Sequence, residues 1–133
     1  MDISGLKKTL KKSWSKETSF DPKNWTPENP AWGQCLITAL IVQDFFGGKI
    51  LEGKVKIPGR TKCCAHYWNE PSDGQETDLT KEQFPDGASL EGAIRTRTRA
   101  YCLRTQTVKR RYLLLKSVID ELISRQSESG ENK

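Results

Sequence analysis

The segment Trp32-Gly33-Gln34-Cys35-Leu36-Ile37-Thr38-Ala39-Leu40-Ile41-Val42-Gln43-Asp44-Phe45-Phe46 is apolar on nearly every face of a helix, and Gly47-Gly48 closes it as expected just past a helix C-terminus. A helix with no polar stripe must be surrounded by protein, so this stretch predicts a central, buried helix. Beyond Gly48 the period changes to two: Leu51, Val55 and Ile57 alternate with Glu52, Lys54 and Lys56, predicting a half-buried strand that ends at Pro58-Gly59. A second strand over about 62–70 and a third over about 75–79 flank Pro71-Ser72-Asp73-Gly74. In that hairpin turn Pro presets the first turn dihedral and Gly supplies a left-handed one.

On the N-terminal side, Ile3, Leu6, Leu10 and Trp14 recur at helical spacing, with Lys7, Lys8, Lys11 and Lys12 between them. This predicts an amphipathic helix ending near Ser15, whose lysines read more simply as a solvated face than as a phosphate or lipid site. Residues 18–31 hold three prolines and no period, predicting an ordered loop tied down by Phe20 and Trp25. Thr80 with Gln83 three positions on is a capping-box pattern that opens a short helical turn before Pro85. Residues 86–104 leave two readings open, an exposed strand through Ile94-Arg95-Thr96-Arg97-Thr98-Arg99 or an arginine-rich helical turn. From about Thr107, Val108, Tyr112, Leu115, Ile119 and Leu122 mark one stripe, widened by Leu114, Val118 and Ile123, of a long amphipathic C-terminal helix. The expected organisation is a single α+β domain over 1–126 and a polar, flexible tail over 127–133.

At 133 residues, with 35% hydrophobic and 29% charged content, the chain is sized for one modest core. No apolar run approaches the roughly 18 residues a bilayer span needs, and the N-terminus shows no apolar signal region, so a cytoplasmic protein without membrane partners is expected. In a reducing compartment the four cysteines are expected as free thiols. The one histidine, His66, excludes zinc sites built on several histidines. Cys63, Cys64, His66 and Cys102 offer no Cys-x-x-Cys, and adjacent cysteines on a strand point to opposite faces, so neither a metal nor another cofactor is expected.

A thiol hydrolase or acyltransferase needs a stabilised thiolate, a histidine, a group that orients the imidazole, and donors for an oxyanion. Cys35 stands in the first turn of the buried helix, where free backbone N–H groups and the helix dipole favour an anion. His66 begins the second strand and Asp78 lies near the end of the third. Two hairpin registers are open. If the loop is Ser72-Asp73-Gly74, Pro71 faces Gln75, Asp78 faces Trp68, and His66 and Asp78 are diagonal neighbours on one face. If the loop is Pro71–Gly74, Asp78 turns to the other face unless a bulge corrects it.

His66-Tyr67-Trp68-Asn69-Glu70, a Gly-containing turn and Thr77-Asp78-Leu79-Thr80, following a Cys-bearing helix, resemble the transglutaminase-like branch of papain-like cysteine hydrolases in their Cys, His, Asp order. Asn29-Pro30-Ala31-Trp32-Gly33-Gln34-Cys35, Val42-Gln43-Asp44-Phe45-Phe46-Gly47-Gly48, His66-Tyr67-Trp68-Asn69 and Asp78-Leu79-Thr80 resemble more closely the small bacterial YunG-like family. The likeness covers roughly residues 14–84, with Arg111-Tyr112-Leu113-Leu114 as a weaker match. It implies a papain-like core: the Cys-bearing helix packed on a small antiparallel sheet, with helices flanking at both ends. Carried across, Cys35 is the nucleophile, His66 the base and later acid, and Asp78 the orienting group. The Cys35 N–H is then one oxyanion donor, with Gln34 or Trp32 as auxiliary. The implied reaction is attack on an amide, thioester or ester carbonyl of a peptide or other acyl compound.

Two simpler readings compete. Cysteine on an apolar helix is commonly core, and a papain-like fold can serve as a binding module without catalysis. Residues 95–119 carry eight basic groups and no acidic one, so Arg95, Arg97, Arg99, Arg110 and Arg111 form a candidate polyanion or nucleic-acid surface. No stacking motif or helix-turn-helix accompanies them, and several could pair with the acidic middle of the chain, where 27–94 holds ten acidic and six basic groups.

Overall fold

A computed structural model describes residues 1–131. Along the chain run α1 (Ile3–Ser13), α2 (Cys35–Phe46), β1 (Lys49–Lys56), β2 (Cys64–Glu70), β3 (Ser89–Arg97), α3 (Arg99–Cys102) and α4 (Gln106–Glu131). The three strands form one antiparallel sheet in the order β2-β1-β3, so the protein is α+β with a small antiparallel sheet.

The all-apolar α2 is the centre of the molecule. Leu40, Ile41, Val42 and Ala39 are buried to within 1% exposure. They pack among Leu6, Leu10 and Trp14 of the N-terminal region, Tyr112, Leu115 and Ile119 of α4, and Ile50 and Tyr67 of the sheet. Burying a side chain of this size contributes roughly 1.5–3 kcal/mol, so the helix is held by its surroundings and not by its propensity. Polar groups in the core are answered: Trp14 Nε1 donates to Thr38 Oγ1 at 3.0 Å, and Asn69 Nδ2 to the Ala39 carbonyl at 2.9 Å. That last bond fixes β2 against α2. Gly47 ends the helix at φ +68, a left-handed value that an L side chain rarely adopts.

β1 and β2 pair from Lys49–Glu70 to Val55–Cys64, which puts His66 opposite Gly53 and Trp68 opposite Leu51. These residues share the outer face, while Ile50, Tyr67 and Asn69 face α2. A Cβ at Gly53 would stand 2.9 Å from the Trp68 ring and 3.1 Å from Leu90, so only glycine lets the indole lie on the sheet here. The same residue marks the bulge where β1 slips against β3.

The stretch left open at 86–104 is the edge strand β3 followed by the single turn α3. Four expectations are corrected. The third strand over 75–79 is one bridge, Asn69–Thr77, because the chain curls away at Asp78, whose Oδ1 accepts from the Thr80 N–H at 3.2 Å. Thr80 accordingly makes no side-chain cap on the 3-10 turn Lys81–Gln83. Phe20 is 76% exposed and pins nothing by burial, whereas Trp25 Nε1 does hold the loop, donating to the Pro30 carbonyl at 2.9 Å. Of the C-terminal stripe, Leu114 is exposed. α4 runs through Glu131, into the range expected as a tail, 127–133, of which residues 132 and 133 lie outside the described residues. No helix of the described residues is long and apolar enough to cross a membrane.

Candidate active site

The bridge at Asn69–Thr77, with N–H···O distances of 3.0 and 2.8 Å, sets the hairpin register. It places Asp78 opposite Trp68 and diagonal to His66, the first of the two registers open in the sequence. His66 Nε2 and Asp78 Oδ2 lie 2.6 Å apart. The second Asp78 oxygen is held by the Thr80 N–H and, at 3.4 Å, by its hydroxyl, so the carboxylate is fixed on both sides.

His66 is 3% exposed. Trp68 stacks on one side of it, centroids 5.5 Å apart and planes 20° from parallel, and Phe84 meets it edge-on at 4.8 Å. Trp68 is itself anchored by Nε1 donating to Glu76 Oε1 at 2.7 Å. The ring therefore has little freedom to turn. With Nε2 committed to Asp78, Nδ1 is buried and reaches no partner at full hydrogen-bond geometry among the described residues. Cys35, half-buried at the first position of α2, is the neighbour whose sulfur acts on the imidazole. Burial by itself disfavours the imidazolium, but the Asp78 bond, the neighbouring Cys35 sulfur and the charge of Asp78 outweigh it. Together they raise the His66 pKa to about 9. Such an imidazole is cationic at neutral pH and can pair with a thiolate.

A cleft of about 880 Å³ opens over the outer face of the sheet, lined by His66, Asp78, Trp68, Val55, Phe84 and Leu90 among others; Cys35 is not part of its lining. A smaller one of about 340 Å³ lies beside Trp32, Arg60 and Gln83. Glu82, Phe84 and Pro85 line both.

The two auxiliary donors read from the sequence have their side chains engaged elsewhere. Gln34 is fully buried and turned inward, its Oε1 accepting from Thr18 Oγ1 at 2.8 Å and its Nε2 donating to the Ser15 carbonyl at 2.9 Å. Trp32 Nε1 donates to Asp21 Oδ2 at 3.1 Å, and its ring lies under the Arg60 guanidinium. Both side chains are thus tied to partners other than Cys35. Sequence reasoning passed over Gln83, taking it for a cap partner. It is 5% exposed, its Oε1 accepts from the Gly33 N–H at 3.2 Å, and its Nε2 has no partner among the described residues.

The arginine segment is dispersed. Arg97 donates to Glu52 Oε1 at 2.6 Å, and Arg99 reaches Asp44 Oδ1 at 2.7 Å and Tyr112 Oη at 2.8 Å. Burial alone would raise the Glu52 carboxyl, yet hydrogen bonds from Tyr67 and Arg97 hold it below its ordinary value. Arg95 and Arg110 are exposed, and Arg111 is half-buried with its guanidinium 5.8 Å from the Phe20 ring. The four cysteines are free, Cys63 donating to Glu91 at 3.7 Å. No metal-like group of three or more His, Cys, Asp or Glu gathers among the described residues.

Fold and geometry together define a small α+β protein that carries a Cys, His, Asp cluster where the N-terminus of a buried helix meets a hairpin. Its family follows from sequence comparison: the pattern of the YunG protein family matches residues 2–124, and the chain belongs to that family. It is 40% identical over 79 residues to a Bacillus subtilis (strain 168) protein named "Uncharacterized protein YunG". That match covers 59% of this chain and 60% of the relative, so the chain spans less than two thirds of the length of the curated relative it matches. No solved structure matches.

Proposed function

We propose that the protein is a cysteine-dependent hydrolase or acyltransferase with a core of the papain-like, transglutaminase-related kind. The observation that carries this is the single histidine, clamped at 2.6 Å to Asp78 through one nitrogen and influenced by the Cys35 sulfur. A structural histidine would be satisfied by Asp78 alone and would call for no sulfur beside it.

In this reading the Cys35 thiolate adds to the carbonyl carbon of an amide, thioester or ester. The tetrahedral oxyanion collapses, the bond to the leaving group breaks, and His66 delivers its proton to that group, leaving an acyl-Cys35 thioester. Water or an amine then loses a proton to His66 as it attacks the thioester, and Cys35 departs as thiolate. Asp78 keeps the ring oriented and offsets its positive charge in the resting pair. Trp68 and Phe84 keep water from the imidazole faces.

The test is alkylation of Cys35 by iodoacetamide at pH 6.5, followed on the Cys35 peptide by mass spectrometry so that Cys63, Cys64 and Cys102 do not obscure it. The intact chain is expected to react at least about tenfold faster than His66→Ala, because the His66 imidazole takes the thiol proton and the imidazolium it becomes holds the thiolate. p-Nitrophenyl acetate hydrolysis is expected to vanish in Cys35→Ser. Equal alkylation rates would remove the activated nucleophile and the proposal with it.

A further inference from the structure

Arg60 is a cation that the fold positions and does not spend. It follows the Pro58-Gly59 turn, where its backbone N–H donates to the Ile57 carbonyl at 3.1 Å and its carbonyl accepts from Lys56 Nζ. The guanidinium lies over the half-buried Trp32 ring, 5.3 Å from the centroid, a stacking that orients the head and leaves its in-plane N–H groups free. Among the described residues no carboxylate stands within ion-pair distance of it. The acids nearby are answered by other groups: Asp21 Oδ2 accepts from Asn24 Nδ2 at 2.8 Å and from Trp32 Nε1 at 3.1 Å, and Glu82 faces Lys7 and Lys11. Arg60 and Trp32 line the cleft of about 340 Å³, with Asn29 and Phe84 among its other walls. That cleft adjoins the proposed chemistry on two sides, since Trp32 stands three residues before Cys35 and Phe84 meets the His66 ring edge-on at 4.8 Å. Small-molecule sites run from about 300 to 1,000 Å³, so a cleft at the low end of that range admits a short carbon chain with one charged end and not a nucleic-acid strand.

We infer that this cleft binds a carboxylate, held by the Arg60 guanidinium, and that the acyl compound attacked by Cys35 therefore carries a carboxylate at its far end. The second half rests on the reading of Cys35 as nucleophile; the first half does not. A carboxylate suits the geometry, because its two oxygens match the guanidinium fork. It also suits the charge, because one guanidinium offsets one negative charge. A phosphate dianion would keep an unmatched charge beside Asp21 and Glu82.

The experiment has a binding arm and a kinetic arm, both on the full chain. In the first, butyrate, its neutral counterpart butyramide, and inorganic phosphate are titrated while the Trp32 indole N–H and Arg60 Nε–H resonances are followed. Butyrate is expected to shift the Trp32 and Arg60 signals saturably, and to bind at least about tenfold more tightly than butyramide or phosphate. Arg60→Gln, a change on the exposed side of a turn, is expected to weaken butyrate by a similar factor, read on the Trp32 signal. Butyrate that binds Arg60→Gln equally well, or butyramide or phosphate that matches butyrate, would overturn the carboxylate site. In the second arm, Cys35 is acylated by the mono-p-nitrophenyl esters of succinic, glutaric and adipic acids, or by their methyl p-nitrophenyl diesters. The sulfur bonds to the ester carbonyl carbon, the C–O bond breaks, and p-nitrophenolate leaves with the electron pair. At least one free acid is expected to react about tenfold faster than its diester, and Arg60→Gln to bring that ratio to about one. No preference at any chain length, or one that survives Arg60→Gln, would overturn the substrate assignment. Failure of the underlying reading looks different: no ester would acylate Cys35 while butyrate still bound, which would overturn the nucleophile and uphold the carboxylate site.

Discussion

Two polar regions of this molecule look equally promising as text and are opposites as structure. Around His66 and Gln83, buried side chains keep hydrogen-bonding capacity in reserve: one imidazole nitrogen and one amide nitrogen have no partner among the described residues. Along 95–99, two arginines that look available in the sequence are paired within the protein, Arg97 with Glu52 and Arg99 with Asp44, Gln43 and Tyr112, while Arg95 is exposed. Charge density on its own does not mark a binding surface, because a guanidinium whose donors are taken cannot hold a phosphate with them. Unspent donors in a rigid, buried setting are the better sign of a ligand, since folding left them costly and something must recover that cost.

The comparison can be strained first through pH. His66 has a folded pKa of about 9 against the ordinary histidine value of 6.5, so the folded state binds the proton more tightly. The resulting stability is fully present below about pH 6.5 and is lost as pH rises toward 9. The loss is on the order of 2 to 3 kcal/mol, at about 1.4 kcal/mol per pKa unit. Urea midpoints taken from pH 6.5 to 8.5 should decline accordingly, and those of His66→Ala should not. The window stops short of the range in which Cys102, raised by burial, adds a loss of the same sign. A flat profile in the unsubstituted chain would mean that the imidazole gains no net charge stabilisation from its neighbours.

Next in size is Glu52→Ala. It leaves the 25%-exposed Arg97 guanidinium and the Tyr67 hydroxyl without the acceptor they share, and should cost about 2 kcal/mol in urea unfolding. Cys35 alkylation should be unaltered. A cost under about 0.5 kcal/mol would show that the arginine segment is not committed internally. The smallest effect belongs to Arg110→Ala with Arg111→Ala, expected within about 0.5 kcal/mol of the parent. Retention on a heparin column should barely change between them. Strong retention that falls steeply with salt and disappears in the double variant would show a polyanion surface there.

The parts of the fold set by local chemistry were legible in the sequence. Gly47-Gly48 marked the end of α2 to the residue, and the turn chemistry of Pro71 and Gly74 confined the hairpin to two registers. Choosing between those registers needed the Asn69–Thr77 bridge, which in turn depends on Asn69 reaching across to Ala39 of α2. Edge strand β3 was ambiguous because none of its residues is buried, so no burial pattern was written into it. Side-chain direction was the least legible property. Gln34 stands beside Cys35 in the chain and points away from it toward Thr18, whereas Gln83, 48 positions after Cys35, has its amide on Gly33. Thr80 and Gln83 did carry a local signal, but it described a cap; its tertiary use by Asp78 and Gly33 overrode the pattern.

Because the chain contains one histidine, its imidazole gives one Cε1–H resonance, and a proton NMR titration of the untagged protein reads the central claim directly. A working Cys35, His66, Asp78 cluster predicts a ring that stays protonated through neutral pH and titrates near 9, moving down toward 6.5 in Asp78→Asn and in Cys35→Ala. A midpoint at or below 6.5 in the unsubstituted chain, unmoved by either substitution, would contradict it.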